Sequence, residues 1–142
     1  MILLDTNIIS EALKAAGDER VLAWMDAQMI ETLFLSTISL AELRFGIAAL
    51  TEGKRRDMLH STLEQRVLPI FSGRILPFNE AASQSYAILR SRARSFGLAI
   101  ATADGYIAAI ASTNGLAVAT RDTSPFDAAG LKVINPWNWV SK

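Results

Sequence analysis

The sequence contains no cysteine and only one histidine, His60, among its 142 residues. The missing cysteines exclude disulfide bonds, zinc–thiolate sites and thiol nucleophiles. A single histidine excludes metal sites built from several histidines and argues against a Ser-His-Asp triad. Any chemistry of this chain therefore has to rest on carboxylates, hydroxyls, amides and basic side chains.

The sequence also lacks an excess of either charge and lacks long apolar runs. Lys and Arg number 14, as do Asp and Glu, so the formal net charge is zero. A neutral chain has to hold nucleic acid, if it does so, through a local basic patch. No apolar run reaches membrane-spanning length, and an acid at position 5 argues against a signal peptide. We therefore expect a soluble, cytoplasmic protein that does not contact membranes.

Short apolar runs alternate with segments of helical periodicity, and hydrophobic residues make up 51% of the chain. The apolar runs predict strands over residues 2–4, 32–37, 74–78, 116–120 and 131–134. The intervening periodicity predicts helices over residues 6–14, 18–29, 38–50, 54–68 (stopping at Pro69), 79–97 and 103–114. Strands that alternate with helices and are apolar throughout predict an α/β fold. We expect a parallel sheet with helices on both faces, in a single domain over residues 1–142.

Four acids are predicted at the carboxyl ends of the strands, where parallel sheets bind their ligands. Asp5 directly follows the first strand, and Asp122 comes two residues after the fourth. Glu42 lies about one turn into the helix after the second strand, and Asp104 opens the helix before the fourth. We expect these carboxylates to meet at one edge of the sheet.

Each acid also has a simpler interpretation. Asp5 and Asp104 are placed to cap helices, and Asp122 lies in a turn-like segment. Glu42 shares a helix face with the apolar residues Ile38, Phe45 and Ala49. A salt bridge to Arg44 would account for an acid on that face. Their conjunction is more informative, because two carboxylates about 4 Å apart repel by roughly 4 kcal/mol at an effective dielectric near 20. Such a cluster requires shared protons or a divalent cation, and its oxygen-only donors favour Mg²⁺ or Mn²⁺ and suit phosphodiester hydrolysis.

Four segments resemble the PIN-domain ribonucleases, and more narrowly the VapC and FitB toxins of bacterial toxin–antitoxin pairs. They are MILLDTNIISEAL, ISLAELRFGI, ADGYIAAIASTNGLAVATRD and VINPWNW, in that order from residue 2 to residue 139. The resemblance implies a five-stranded parallel sheet flanked by helices, with an acidic pocket for Mg²⁺ or Mn²⁺. It also implies metal-dependent cleavage of RNA and a cognate antitoxin, which would bring operator DNA binding. Homodimerisation is expected from the resemblance as well.

The family's three core acids match Asp5, Glu42 and Asp104. Its fourth position is usually the Asn of a T-R-N-x-x-D-F pattern. Here Asp122 replaces that Asn and Pro125 replaces the following Asp. Because FitB-like members carry T-R-D, we take Asp122 as the fourth catalytic and metal-binding acid. Asp127 is out of register and is interpreted as a turn or surface residue.

Other polar residues are candidates for supporting roles. We expect Thr6, Asn7 and Thr120 to orient the metal-binding carboxylates from the outer shell, with helix capping compatible for the first two. Arg44 and Arg121 follow two of the acids closely and are candidates for contacts to the scissile phosphate; balancing those acids is the alternative. Two basic clusters, residues 54–56 and Arg90, Arg92 and Arg94, could bind RNA or simply be solvated.

Two other functions remain open at the level of sequence. The first is a catalytically silent interaction module with a PIN fold, which metal binding would distinguish from the nuclease. The second is a phosphotransfer enzyme with Asp5 as nucleophile. A phosphatase of the haloacid dehalogenase type would require a second Asp at position 7, where Asn7 stands.

Overall fold

The computed structural model describes residues 1–140, in which five parallel strands form one sheet. The strands are β1 (Ile2–Leu4), β2 (Leu33–Ser36), β3 (Ile75–Leu76), β4 (Ala117–Ala119) and β5 (Val133–Ile134). Their order across the sheet is β3-β2-β1-β4-β5, and every neighbouring pair is parallel. The predicted α/β class is confirmed. Strand β1 lies at the centre, so the residue that follows it is covered on both sides.

Seven α-helices flank the sheet in the described part of the chain. They are α1 (Thr6–Leu13), α2 (Glu19–Asp26), α3 (Thr37–Ala48), α4 (Lys54–Thr62), α5 (Glu80–Ser95), α6 (Thr102–Thr113) and α7 (Ser124–Ala128). The side chains of Asp5, Asp18 and Asn79 accept backbone N–H groups at the starts of α1, α2 and α5, as predicted. None of the helices within residues 1–140 has the length and apolar character needed to cross a membrane.

The core lies on both faces of the sheet because successive strand residues point to opposite sides. Leu4 packs into a cluster with residues of α1, α2, α3 and the segment after α4. Its neighbour Leu3 packs into a second cluster with residues of α5, α6 and α7. Both leucines are fully buried, which confirms the predicted helices on both faces.

Several local predictions were wrong in their boundaries. The helix predicted to stop at Pro69 ends as an α-helix at Thr62 and continues as a π-type turn (Leu63–Val67) and a 3-10 turn (Leu68–Phe71). Pro69 is accommodated because it stands in the first positions of that last turn, where no N–H partner is needed. The segment interpreted as a turn after Asp122 leads into α7, which is too short for a periodic pattern to show. Strands β3 and β5, at the two sheet edges, have two residues each instead of the predicted five and four.

Candidate metal centre

The strand order brings the four predicted acids to one edge of the sheet. Asp5 ends the central strand, and the strands beside it, β2 and β4, lead to α3 with Glu42 and to the loop with Asp122. Asp104 comes from the first turn of α6. The four charges act on one another through space, since Glu42 and Asp122 raise the pKa of Asp5 and all three raise that of Asp104. We call these four residues the acid cluster.

Asp5 is the buried member of the acid cluster, with 6% of its surface exposed. One carboxylate oxygen accepts the backbone N–H of Thr6 at 2.8 Å, and the other accepts the hydroxyl of Thr120 at 2.7 Å. Burial raises the pKa of Asp5, and the charges of Glu42 and Asp122 add to that rise, while the two hydrogen bonds oppose it. The two hydrogen bonds thus hold the carboxylate in one orientation, although burial and the neighbouring charges disfavour its ionised form.

Thr120 joins the two halves of the site through its hydrogen bonds, and its outer-shell role at a metal stays a prediction. Its buried hydroxyl donates to Asp5 and accepts from Asn7 Nδ2 at 3.3 Å and from the backbone N–H of Asp122 at 3.1 Å. Asn7 Oδ1 in turn accepts the backbone N–H of Arg121 at 3.3 Å. These bonds fasten the start of α1 to the loop after β4, which carries the fourth acid.

Thr6 acts on a different acid from the one its position suggests. Its hydroxyl donates to Glu42 Oε1 at 2.8 Å and lies 3.0 Å from Ser39 Oγ, whereas only its backbone N–H reaches Asp5. Ser39 is fully buried, and its own N–H donates to Ser36, the N-cap of α3. Sequence reasoning missed Ser39. Its spacing of three residues from Glu42 on one helix face is the signal that could have found it.

The carboxyl of Asp104 has a strongly raised pKa. Burial, followed by the charges of Asp5, Asp122 and Glu42, raises its pKa to about 6. A carboxylate in the first turn of a helix is ordinarily favoured by the helix dipole, so burial and the neighbouring acids outweigh that effect here. Ala101, and not Asp104, occupies the N-cap position of α6, so the interpretation of Asp104 as a cap is wrong.

The acid cluster fits a hard divalent cation by its chemistry. All its donors are carboxylate oxygens, and within residues 1–140 none of the four acids forms an ion pair with a basic side chain. In the same part of the chain no three acids already lie close enough to share one ion. Glu42 is held by the Thr6 hydroxyl, whereas the exposed side chain of Asp122 can change rotamer at small cost to bring its oxygens towards the other acids. Carboxylate oxygens are the ligands that Mg²⁺ and Mn²⁺ prefer, and because Mg²⁺ keeps several waters it needs only a few of them from the protein.

The two arginines near these acids make other contacts. Arg44 forms a double ion pair with Glu64, at 2.7 and 3.0 Å, so the simpler interpretation of Glu42 as its salt-bridge partner is wrong. The guanidinium of Arg121 lies over the ring of Trp137, 5.3 Å from its centre. A role for either arginine at a phosphate stays a prediction.

Two titratable residues that sequence reasoning set aside lie on the surface. His60 is exposed on α4. Asp127 is exposed on α7, and the charges that raise the pKa of Asp5 and Asp104 do not include its carboxylate. These positions agree with leaving both residues out of the acid cluster.

Comparison with known proteins gives this arrangement a family. Residues 2–131 match the PIN domain. The VapC ribonuclease Y4jK of Sinorhizobium fredii is 61% identical over 137 residues, 96% of this chain and 98% of that protein. The toxin FitB of Neisseria gonorrhoeae is 54% identical over 97% of this chain and 99% of its own length. A chain in the structure of FitAB bound to an IR36 DNA fragment superposes with a TM-score of 0.95 at 51% identity, over 99% of both chains. This chain therefore belongs to the PIN-domain family, in the group that contains the VapC and FitB toxins.

Proposed function

We propose that this protein is a Mg²⁺- or Mn²⁺-dependent endoribonuclease and the toxin of a toxin–antitoxin pair. The observation that carries the proposal is the acid cluster itself, four carboxylates at one sheet edge without a basic partner in the described residues. The names of its relatives, a VapC ribonuclease and a FitB toxin, support the same function. RNA, a neutralising antitoxin and operator DNA reached through that antitoxin are the proposed partners, and a homodimer is the proposed assembly, in the cytoplasm.

Each part of the site has a defined task in this mechanism. Asp5, Glu42, Asp104 and Asp122 would hold the cation, which when bound lowers the pKa of a coordinated water and neutralises charge on the phosphate. Thr120 and the Thr6 backbone fix the carboxylate of Asp5, and the Thr6 hydroxyl fixes that of Glu42. The protein therefore contributes orientation and negative charge, and its fixed hydrogen bonds reduce the rearrangement needed during the reaction.

Cleavage of a pool of single-stranded RNA tests the activity. The purified protein, freed of antitoxin, should cut the pool with Mg²⁺ or Mn²⁺ and not with EDTA. Asp5→Asn should reduce the rate by more than about 100-fold, because loss of a ligand exceeds the 10- to 100-fold typical of outer-shell changes. Asp26→Asn, the same substitution at an exposed position at the end of α2, should leave the rate unchanged.

The opposite result would identify the alternative. If the wild-type protein neither cuts RNA nor binds Mn²⁺ in calorimetry, the nuclease is refuted and a catalytically silent PIN-fold interaction module takes its place. Mn²⁺ binding without cleavage of the pool would be followed by a longer panel of structured RNAs, because binding alone already separates a working metal site from a silent one.

An apolar groove beside the acid cluster offers a place for the antitoxin. It lies between α1, α3 and α4, has a volume of about 700 Å³, and includes Glu42 in its wall. Its apolar lining comes from Leu13, Leu43, Ile47, Leu50, Met58 and Leu59. A bound apolar segment there would bring any basic side chain it carries within reach of Glu42. Neutralisation of the acids and exclusion of the cation would then follow from one binding event.

A further inference from the structure

A second cavity, on the other face of the sheet, is basic. It lies between the C-terminal half of α5 and the segment that leads into α6, and its volume is about 610 Å³. Its lining consists of Tyr86, Arg90, Ser91, Arg94, Leu98, Ala99 and Ile100. We call it the α5 basic pocket. Among residues 1–140 its lining has two cations and no acid, and its size is within the range that accommodates one small ligand or nucleotide.

The two arginines of this pocket are without an acidic partner in the described part of the chain. Arg90 and Arg94 are one helical turn apart and exposed, and within residues 1–140 neither forms an ion pair with a carboxylate. At this spacing their Cβ atoms lie about 5–6 Å apart, so both guanidinium groups reach the same opening. In a chain of zero net charge, such a local pair is the kind of feature that a phosphate backbone requires.

Tyr86 holds Arg90 in place. The guanidinium of Arg90 lies over the Tyr86 ring, 5.4 Å from its centre, and one of its nitrogens donates to the Tyr86 hydroxyl. The same ring packs against Tyr106, with 4.9 Å between ring centres. A stacked and hydrogen-bonded guanidinium loses less side-chain freedom when it binds an anion than a free one does.

Two residues of the α5 basic pocket, Tyr86 and Arg90, pack against α6, the helix that carries Asp104. Gly105 directly follows Asp104, and a Cβ atom at Gly105 would lie 2.9 Å from the Tyr86 ring and 3.7 Å from Cδ of Arg90. The aromatic ring and the arginine therefore lie against the backbone of the residue next to the acid. The absence of a side chain at position 105 is what permits this close approach.

The other basic cluster, residues 54–56, has a different environment. Arg56 lies 4.0 Å from Glu52 and lines a cavity that also contains Asp57 and Glu64. Arg55 lines the apolar groove beside Glu42. Acids beside these cations weaken their attraction for a phosphate, so the α5 basic pocket is the better anion site of the two.

We propose that the α5 basic pocket binds single-stranded RNA beside the acid cluster, with Arg90 and Arg94 on a backbone phosphate next to the scissile one and Tyr86 as a positioning residue for Arg90. The inference rests on the proposed function above. A concave pocket of this size accepts one splayed nucleotide, which single strands offer and duplexes do not.

Matched variants on one helix test the proposal. Arg90→Ala and Arg92→Ala each remove one positive charge from an exposed position of α5, but only Arg90 lines the pocket. Binding of a fluorescein-labelled single-stranded RNA is measured by anisotropy in EDTA, where the proposed cleavage is suppressed. We expect Arg90→Ala to weaken binding about 10-fold, as loss of one charge-assisted hydrogen bond does, and Arg92→Ala to change it less than twofold. The slope of log K against log salt should fall by about 0.7 for Arg90→Ala only.

Two further variants examine the geometry. Arg90→Lys keeps the charge and should retain most of the salt slope, while Tyr86→Phe keeps the stacking, removes the hydrogen bond and should weaken binding less than Arg90→Ala. In cleavage assays with Mn²⁺, Arg90→Ala should raise KM and leave kcat within about twofold. Because alanine favours helix, folding should persist, which circular dichroism checks.

Several outcomes would overturn this inference while leaving the nuclease intact. They are equal weakening by Arg90→Ala and Arg92→Ala, a fall in kcat without a change in KM, or a change in sedimentation state without a change in RNA affinity. The last result would assign the pocket to a contact between copies of the chain. Conversely, binding that depends on Arg90 in a protein that neither cuts RNA nor binds Mn²⁺ would support RNA binding by the pocket and refute the proposed catalysis.

Discussion

At the scale of single residues, one buried hydroxyl determines how the acidic site is held together. Thr120 donates to Asp5 and accepts from Asn7 and from the backbone of Asp122, so a single oxygen connects both sides of the sheet edge. The hydrogen bond to Asp5 also favours the charged carboxylate, against the burial that disfavours it. Thr120 is therefore expected to influence both the stability of the fold and the acidity of the site.

Replacing Thr120 tests this dual role. Thr120→Val keeps the shape, removes the hydroxyl and should cost about 1.5–3 kcal/mol in the free energy of unfolding, as for hydrogen bonds to charged groups. The pKa of Asp5 should rise further, so the acidic limb of the pH–rate profile should move to higher pH. Thr120→Ser retains the hydroxyl and should retain the profile. Urea unfolding and kcat/KM against pH measure the two effects, and an unchanged profile for Thr120→Val would contradict the assignment.

The raised pKa of Asp104 predicts how the free energy of unfolding changes with pH. Its pKa is about 6 in the folded chain against an ordinary 3.8, so the folded state binds this proton more tightly than the unfolded state does. The charge of Asp104 therefore begins to destabilise the fold as pH rises through about 4, and the cost is complete above about 6. In EDTA, Asp104→Asn should raise the free energy of unfolding at pH 7.5 by about 1 kcal/mol, after allowance for solvent screening, and by little at pH 4.

Asp18 provides a control, because its pKa is shifted in the opposite direction to that of Asp104. Its side-chain hydrogen bonds with Arg20 lower its pKa to about 2, so its charge stabilises the fold above about pH 4, and that stability is lost as pH falls through 2. Asp18→Asn keeps an N-cap residue at the start of α2 and should lower stability at pH 7.5. Changes of the same sign for both variants would contradict the argument for Asp104.

At the scale of elements, the spacing between helices decides what can bind beside the site. Helices α1, α3 and α4 leave the apolar groove open, and a Cβ atom at Gly46, inside α3, would meet nothing within 4 Å. A glycine in the interior of a helix costs roughly 0.8–1 kcal/mol relative to alanine. The open space over Gly46 is thus a property of the groove, and filling it should affect a partner more than the fold.

Gly46→Leu tests the groove as the place where the antitoxin binds. The side chain should fill part of the groove and should stabilise α3, because leucine favours helix far more than glycine does. We expect the variant to keep its nuclease activity and its toxicity, and to lose rescue of growth by the co-expressed cognate antitoxin. Gly46→Ala adds only a methyl group and should remain rescued. Full rescue of Gly46→Leu would place the antitoxin elsewhere.

At the scale of the whole molecule, the acid cluster places uncompensated like charge in the centre of the sheet edge. A cation that binds the folded chain and not the unfolded chain should therefore stabilise the entire domain. Mn²⁺ at about 100 times its Kd should contribute about 2.7 kcal/mol, equivalent to roughly 8–11 °C in Tm for a chain of this size. Asp5→Asn should abolish most of the shift. KCl at matched ionic strength is the control for screening, and an equal shift with KCl would rule out a specific site.

The predictability of the fold depended on element length. The strands and the longer helices were recognisable because each is an apolar run or a periodic segment with its own cap, as Asp18 and Asn79 show. Helix α7 has five residues, too few for a period to be visible, and the edge strands β3 and β5 have two residues each, fewer than the apolar runs that predicted them. Pro69 predicts the end of a helix because proline is not tolerated inside an α-helix, but proline can stand in the first positions of a 3-10 turn, as it does here.

The sequence by itself determined the class of the fold, the four acids and their approach to one sheet edge, since each acid is tied to the end of its own strand or the start of its own helix. Only the tertiary structure decided the pairing across long separations. In the folded chain the Thr6 hydroxyl donates a hydrogen bond to Glu42, Arg44 forms an ion pair with Glu64, and the side chain of Arg90 packs against Gly105. The physical reason is that periodicity reports which face of an element is buried, whereas a hydrogen bond or ion pair depends on which two elements the packing brings within about 3 Å.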